Sequence, residues 1–316
     1  MYNEIPNLRV IQEAHKRIKP YIHRTPVLSS SSINQLIEAQ LYFKCENFQK
    51  VGAFKMRGAT NAIMAYSIED RKNGFVTHSS GNHAQAVALA SKLAGSKAYI
   101  VMPNNAPEVK KKAVEGYGAE VTYCEPNESA REATCDEVIK RTNAIFIPPF
   151  NDSRIIAGQA TAAKELLEEH PDLDFIVTPV GGGGLSAGTA LIAKYMSPET
   201  DVLLAEPLNV DDTYRSFYSG IRSQVGDKKS IADGLLVSVG ELNFEIIKNN
   251  AKGVITVSED EILNAMRLIW ERMKIIIEPS SAVAIAAVIK HKNTMKGKKI
   301  GVIISGGNVD LGSLSF

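Results

Sequence analysis

Short runs rich in β-branched residues return along the chain with helix-length stretches between them, and this alternation restricts the fold more than any other feature. The first four runs are residues 75–77, 98–102, 120–124 and 144–147. Strands spaced in this way pair in parallel through helical crossovers, because a hairpin would need a turn of only a few residues. The intervening helices carry their own stop signals: 84–93 ends at Gly95, and 107–114 ends before Gly116-Tyr117-Gly118. Residues 71–148 are therefore predicted to form a small four-stranded α/β domain.

The same alternation resumes after Pro148-Pro149. Residues 155–167 read as a helix, 175–180 as a strand, 185–196 as a helix and 202–205 as a strand. Beyond them come a strand at 254–257, helices at 259–273 and 280–290, and a strand at 300–304. The most polar stretch, 220–230, is predicted to be a mobile loop. At 316 residues the chain is twice the guide length of roughly 150 residues per domain. The expectation is a two-domain α/β protein with parallel-rich sheets flanked by helices. Residues 1–70 and 149–316 form the larger domain and 71–148 the smaller, with a cleft where strand ends face each other.

Charge narrows what that cleft can bind. Lys plus Arg total 36 against 35 Asp plus Glu, so the balance carries no footprint for nucleic acid or an anionic membrane. A small molecule or another subunit is the expected partner. Cys45, Cys124 and Cys135 include no CxxC and no His at zinc-finger spacing, which points away from a disulfide framework or structural zinc and toward a reducing compartment. The N-terminal residues lack a basic stretch followed by an apolar core, and the longest apolar run, 282–289, is far short of the ~20 residues of a membrane helix. A cytoplasmic location is expected.

Three motifs could carry chemistry. Gly181, Gly182, Gly183 and Gly184 follow a strand and open a helix, so unhindered backbone N–H groups would converge there on an anion such as phosphate. Gly182-x-Gly184-x-x-Ala187 also satisfies the dinucleotide fingerprint, with Glu206 ending the next strand where a ribose-binding acid would sit. On that reading the chain is an NAD-binding oxidoreductase. The second motif is Gly52-Ala53-Phe54-Lys55-Met56-Arg57-Gly58. Most lysines are solvated surface charges, but one flanked by glycines and preceded by an aromatic residue can be desolvated into an amine nucleophile toward an aldehyde. The third is Thr77-His78-Ser79-Ser80-Gly81-Asn82-His83, whose hydroxyls, amide and N–H groups at a helix N-terminus suit a carboxylate, although Ser and Asn there also serve as plain helix caps. Glu206 and Asp212 add hard oxygen ligands at a spacing that suits Mg²⁺ or Ca²⁺; as two acids in a loop they equally read as surface charge.

Taken together, these motifs resemble the fold-type II family of pyridoxal-phosphate enzymes, in its serine/threonine dehydratase group, which includes the eukaryotic serine racemases. The resemblance runs nearly end to end. It covers His23-Arg24-Thr25-Pro26-Val27-Leu28, the Lys55 motif, Ser79 to His83, Ala157-Gly158-Gln159, the four glycines, Ala232-Asp233-Gly234, Glu278-Pro279 and Ser305-Gly306-Gly307-Asn308-Val309-Asp310. It implies a tryptophan-synthase-β-like fold with Lys55 holding pyridoxal 5′-phosphate covalently and Phe54 and Asn82 placing its ring. The phosphate would lie on Gly181 to Gly184, with Gly234 and Glu278 also at the cofactor. Ser305 would face the pyridine nitrogen, where a neutral hydroxyl makes the ring a weaker electron sink and favours elimination or racemisation over transamination.

By the same resemblance Lys55 and Ser80 would be the acid/base groups on opposite faces of the substrate, held by Ser79, Ser80, Asn82, His83 and Arg131. Glu206, the carbonyl of Val210 and Asp212 would bind Mg²⁺, Ca²⁺ or Mn²⁺, which takes Glu206 away from ribose. A nucleotide site for ATP as activator would map to Ser30, Ser31, Ser32, Lys50, Val51, Gln85, Tyr117 and Lys274 of a homodimer, where Ser32 and Val51 depart from the mammalian residues. Ala53 and Phe150 replace a serine and an asparagine, as in microbial relatives with strong dehydratase activity. The implied activity is interconversion of L- and D-serine with β-elimination of serine to pyruvate and ammonia. The alternative is a threonine or 3-hydroxyaspartate dehydratase; an oxidoreductase or an inactive amino-acid binder is the reading from other classes. The sequence ends six residues after Asp310, so no C-terminal regulatory domain, and no feedback by isoleucine, is expected.

Overall fold

The computed structural model describes residues 4–106, 108–226 and 229–310, so Pro107, at the start of a predicted helix, and positions 227–228 of the predicted loop lie outside the described residues. The strands are β1 (Val27–Leu28), β2 (Gln40–Cys45), β3 (Phe75–His78), β4 (Ala98–Pro103), β5 (Glu120–Cys124), β6 (Ile145–Phe146), β7 (Phe175–Pro179), β8 (Asp201–Pro207), β9 (Gly253–Val257) and β10 (Lys299–Ile304). They form two sheets, ordered β1-β2-β10-β7-β8-β9 and β5-β4-β3-β6. All pairings are parallel except that of β1 with β2. β10 lies between β2 and β7, with Lys299 opposite Gln40 and Ile304 opposite Cys45.

Each sheet is covered on both faces, as buried parallel strands require. Helices Ser31–Ile37, Glu259–Met273 and Pro279–Lys290 cover one face of the larger sheet; Leu8–Ile18, Ser153–Glu169, Gly184–Met196 and Glu241–Asn250 cover the other. The smaller sheet packs Asn82–Leu93 and Lys55–Met64 on one face and Glu128–Thr142 on the other. Local chemistry sets the helix starts. The Asp152 side chain accepts the N–H groups of Arg154 and Ile155, Ser258 and Glu261 form a capping box, and Pro279 occupies the first turn of its helix.

Lys55–Met64 is the helix on which the site turns. Although it belongs to the first 70 residues, its Met56, Ala59, Ala62 and Ile63 join the apolar cluster of the smaller sheet. Its other side meets Ser153–Glu169 through two glycines: a Cβ on Gly158 would come within 2.7 Å of Gly58 Cα and of Arg57 O. Ser153–Glu169 in turn meets Gly184–Met196 at Gly188, where a Cβ would lie 2.7 Å from Ala160 N. One central helix therefore sets the spacing between Lys55 and the glycine loop.

Candidate active site

Lys55 opens its helix after Phe54, whose N–H donates to Ser305 O at 2.9 Å. The Lys55 Nζ donates to Pro149 O at 2.8 Å and lies 5.4 Å from the Phe54 ring centroid and 6.0 Å from that of Phe150. Desolvation lowers the amine to about 8, against the opposing pull of Glu278. An amine so shifted spends more time as a free base than a surface lysine does, which is what attack on an aldehyde needs.

Facing this amine are two rows of backbone donors. Gly181, Gly182, Gly183 and Gly184 are all buried, and their N–H groups meet no acceptor among the described residues. The loop's shape depends on its lack of side chains. Gly183 has φ +87°, a Cβ on Gly182 would sit 2.2 Å from the Phe150 ring, and one on Gly181 would sit 2.8 Å from Leu235 Cα. Asn243 Nδ2 holds the loop from behind, donating to Gly182 O at 2.6 Å and to Phe150 O at 3.2 Å. Four buried donors without partners at a helix N-terminus are costly unless an anion fills them. The site thus fits the phosphate of pyridoxal phosphate, with Lys55 placed to hold its aldehyde.

The second row lies between β3 and Asn82–Leu93. The N–H groups of Ser80, Asn82 and His83 have no acceptor among the described residues, while Ser79 Oγ accepts the N–H of Gly81 at 3.3 Å. Asn82 is held from both sides: its Nδ2 donates to Glu278 Oε1 and Oε2 at 3.0 and 3.1 Å, and its Oδ1 accepts from Asn308 Nδ2 at 2.8 Å. Burial pushes Glu278 up to about 7, against the Asn82 hydrogen bond. Ser305 is buried with its Oγ 3.0 Å from Ser281 Oγ, and Ser281 also bonds Gly306 O and N at 2.7 Å. Gly234 donates its N–H to Ser280 Oγ at 3.0 Å, beside Asp233, which Lys110 reaches from the helix Glu108–Gly116 at 2.6 Å.

Two substrate candidates stand differently from the sequence expectation. His83 is buried, with its Nε2 3.1 Å from Ile147 O, and desolvation, followed by the nearby Lys55, lowers it to about 3. Its ring is a neutral prop for the main chain, leaving its backbone N–H as the group available to a carboxylate. Arg131 lies on Glu128–Thr142, donates to Asn127 O at 3.4 Å, and helps hold His78, at the end of β3, below its ordinary value after desolvation.

Glu206 and Asp212 are not surface charges; both are 1% exposed. Glu206 accepts the N–H groups of Thr213 and Tyr214 at 2.9 and 2.8 Å, and Asp212 accepts that of Val239 at 3.1 Å. Desolvation raises them to about 8 and about 6, and Asp212 raises Glu206 further. Two buried acids that repel each other beside a buried Val210 suit a divalent cation, and the geometry removes Glu206 from any ribose role. No hydrogen bond joins the nucleotide candidates across the chain: Ser30 Oγ bonds Ser32 Oγ at 3.1 Å, while Ser31 lies in the same helix, Gln85 is buried in Asn82–Leu93 and Lys274 follows Glu259–Met273. Lys50 and Tyr117 lie near the smaller sheet's cluster.

Sequence reasoning gave no site role to Pro149, Asn243, Ser281 or Asn308, and marked Phe150 only as the replacement of an asparagine. Only Asn308 stood inside a motif; the others touch the site through tertiary proximity alone.

Residues 18–306 match the model of the pyridoxal-phosphate dependent enzyme family. The chain is 55% identical over 312 residues to a serine racemase of Dictyostelium discoideum, covering 98% of this chain and 96% of that one. It is 47% identical to a beta-hydroxyaspartate dehydratase of Paracoccus denitrificans, covering 99% of each. The solved structure of maize serine racemase superposes with a TM-score of 0.96 at 43% identity, over 98% of this chain and 96% of that one. With the phosphate cradle, the desolvated lysine and the parallel sheets that carry them, this similarity places the chain in the family of pyridoxal-phosphate dependent enzymes, to which it belongs.

Proposed function

We propose that the chain is a serine racemase that also eliminates water from serine to give pyruvate and ammonia. The observation that carries this reading is the desolvated Lys55 amine set among two rows of unpartnered N–H donors, Gly181 to Gly184 for a phosphate and Ser80, Asn82 and His83 for an α-carboxylate. Bound pyridoxal phosphate supplies the electron withdrawal that weakens the bonds of the substrate Cα. Lys55 removes the Cα proton on one face, and the Ser80 hydroxyl returns a proton on the other, which inverts the centre. When the β-hydroxyl leaves instead, hydrolysis yields pyruvate and ammonia. Ser305, buried and neutral, leaves the ring nitrogen without a carboxylate partner. The same reading counts Arg131 among the residues around the substrate.

The test is a time course with L-serine in which D-serine, by chiral chromatography, and pyruvate are followed in one tube. Ser80→Ala is expected to lower racemisation by about 10²–10⁴-fold, the range for loss of a positioned acid/base group, while part of the L-serine elimination survives. Equal retention of both activities would remove Ser80 as the second base.

A second reading, a dehydratase of 3-hydroxyaspartate, is favoured by the likeness to the Paracoccus enzyme. It predicts pyruvate without D-serine from L-serine, and faster turnover of 3-hydroxyaspartate than of serine; threonine is the next substrate on that reading.

The same proposal divides the chain at residues 70–71 and 148–149, puts two copies in a cytoplasmic homodimer with ATP as a candidate activator, and assigns Mg²⁺ or Ca²⁺ to Glu206, the Val210 carbonyl and Asp212. After EDTA treatment, added Mg²⁺ at a hundredfold its Kd is expected to stabilise the protein by about 2.7 kcal/mol, read as a rise in Tm. Asp212→Asn should lose that rise; an equal rise in the variant would move the cation elsewhere. No described helix is long and apolar enough to cross a membrane.

A further inference from the structure

Beneath the Lys55–Met64 helix lies an ionic cluster that the chemistry above does not use. Arg57 is fully buried and forked on both edges: Nε and Nη2 donate to Glu46 at 2.7 and 2.8 Å, and Nη1 and Nη2 to Glu165 at 2.9 and 2.8 Å. A further N–H of Nη1 reaches Thr161 Oγ1 at 3.1 Å. Lys44 Nζ, also fully buried, lies 2.7 Å from Glu165 and donates to Thr25 O at 2.6 Å, and Thr25 Oγ1 donates to Glu46 at 2.6 Å. At the rim, His15 Nε2 is 3.2 Å from Glu165. Two cations and two carboxylates cancel. Burial opposes the charge of Arg57, and Glu46 and Glu165 more than offset it, holding the guanidinium above its ordinary range.

A cluster of this kind is a poor source of stability, since well-packed apolar residues of equal volume do as well or better. What a guanidinium forked on both edges does supply is direction, because its planar donors fit two carboxylates in one arrangement only. The direction matters here because Arg57 stands two positions after Lys55, and residues so spaced on a helix project from opposite sides. We propose that Arg57 is the positioning residue for Lys55: clamped between Glu46 after β2 and Glu165 of Ser153–Glu169, it fixes the rotation of the helix and so holds the amine at Pro149 O between Phe54 and Phe150. The proposal rests on Lys55 being the residue that carries the cofactor. A turned helix would swing the amine away from these rings and from Glu278 and His83, the titratable groups that reach it electrostatically.

Arg57→Lys keeps the charge and removes the fork. In the holoenzyme it is expected to lower the visible circular dichroism per bound cofactor at least twofold, because that signal reports how the cofactor is seated. The kcat for L-serine should fall at least tenfold with KM within twofold, since the Ser80–His83 donors are carried by β3 and Asn82–Leu93 and not by the Lys55 helix. Unchanged dichroism and kcat beside a lowered Tm would overturn the proposal and leave Arg57 a structural residue. Should Arg57→Lys fail to fold, Thr161→Val, which removes the acceptor of one Arg57 N–H and the hydroxyl's own bond to Gly158 O but no charge, is expected to show the same losses in smaller measure, and unchanged signals there would overturn it equally. Borohydride fixation and mass spectrometry of the wild-type protein test the underlying reading separately: a pyridoxyl group on Lys55 supports it, and one on another lysine overturns both.

Discussion

Lys55→Ala purified with excess pyridoxal phosphate and then desalted is expected to be colourless, and its turnover of L-serine to D-serine and pyruvate to fall on the order of 10⁴-fold or more. The size follows from losing two functions at one atom. The amine is the group placed to hold the cofactor covalently, and it is the base proposed on one face of the substrate, each role being worth about 10²–10⁴-fold when a positioned group is removed. Nothing in the described site offers a substitute, because the Nζ position at Pro149 O is enclosed by Phe54 and Phe150, and His83 is committed to Ile147 O. Absorbance after desalting, with and without borohydride, checks attachment; chiral chromatography and pyruvate assay check turnover. A variant that stays yellow and fixes the cofactor on borohydride treatment would place the attachment on another lysine.

Gly158→Ala is expected to produce a large loss of stability from a single methyl group. Its Cβ would lie 2.7 Å from Arg57 O and Gly58 Cα and 3.0 Å from Arg57 C, all backbone atoms of the facing helix, so no side chain can swing aside. Overpacking against atoms that cannot yield costs about 3 kcal/mol, at the upper end of the usual range. In a protein of this size that lowers Tm by about 4–5 °C. The helices must part to admit the methyl group, and Lys55 moves with them, so kcat should fall in the part that remains folded. Gly116→Ala is the control: a Cβ there meets nothing within 4 Å, and its Tm should hold or rise slightly. If the two variants melt together, the glycine contact does not set the helix spacing.

The parts of this protein that could be read from its sequence are those whose cause is local. Strands 75–77, 98–102, 120–124, 175–180 and 300–304 lie within a residue or two of β3, β4, β5, β7 and β10, because β-branched runs between turn residues make strands wherever they fall. Likewise Gly181 to Gly184 and Ser79 to His83 announce themselves as strand-to-helix turns with bare donors. β2 escaped notice because Lys44 sits inside it, and its buried charge is met by Glu165, on a distant helix, and by Thr25 O. Glu128–Thr142 carries too few apolar residues to show a face; only Cys135 and Val138 are buried among those its helix lays against the sheet. The raised environment of Glu278, the closure of the glycine loop by Phe150 and Asn243, and the meeting of Gly58 with Gly158 arise from residues far apart in the chain, so no window of sequence holds both halves.

The place of β10 bears on how the protein comes off the ribosome. The smaller sheet is made from one continuous stretch, 75–146, and can pair its strands as soon as that stretch emerges. The larger sheet cannot: β2 and β7 are joined only through β10, so the edges of residues 40–45 and 175–179 stay open until residues 299–304 are made. At ordinary elongation rates β2 waits for roughly tens of seconds with a free strand edge. Nascent chains stalled or truncated before β10 should therefore present two unpaired, apolar edges, the kind of surface that chaperones bind and that pairs strand to strand between chains.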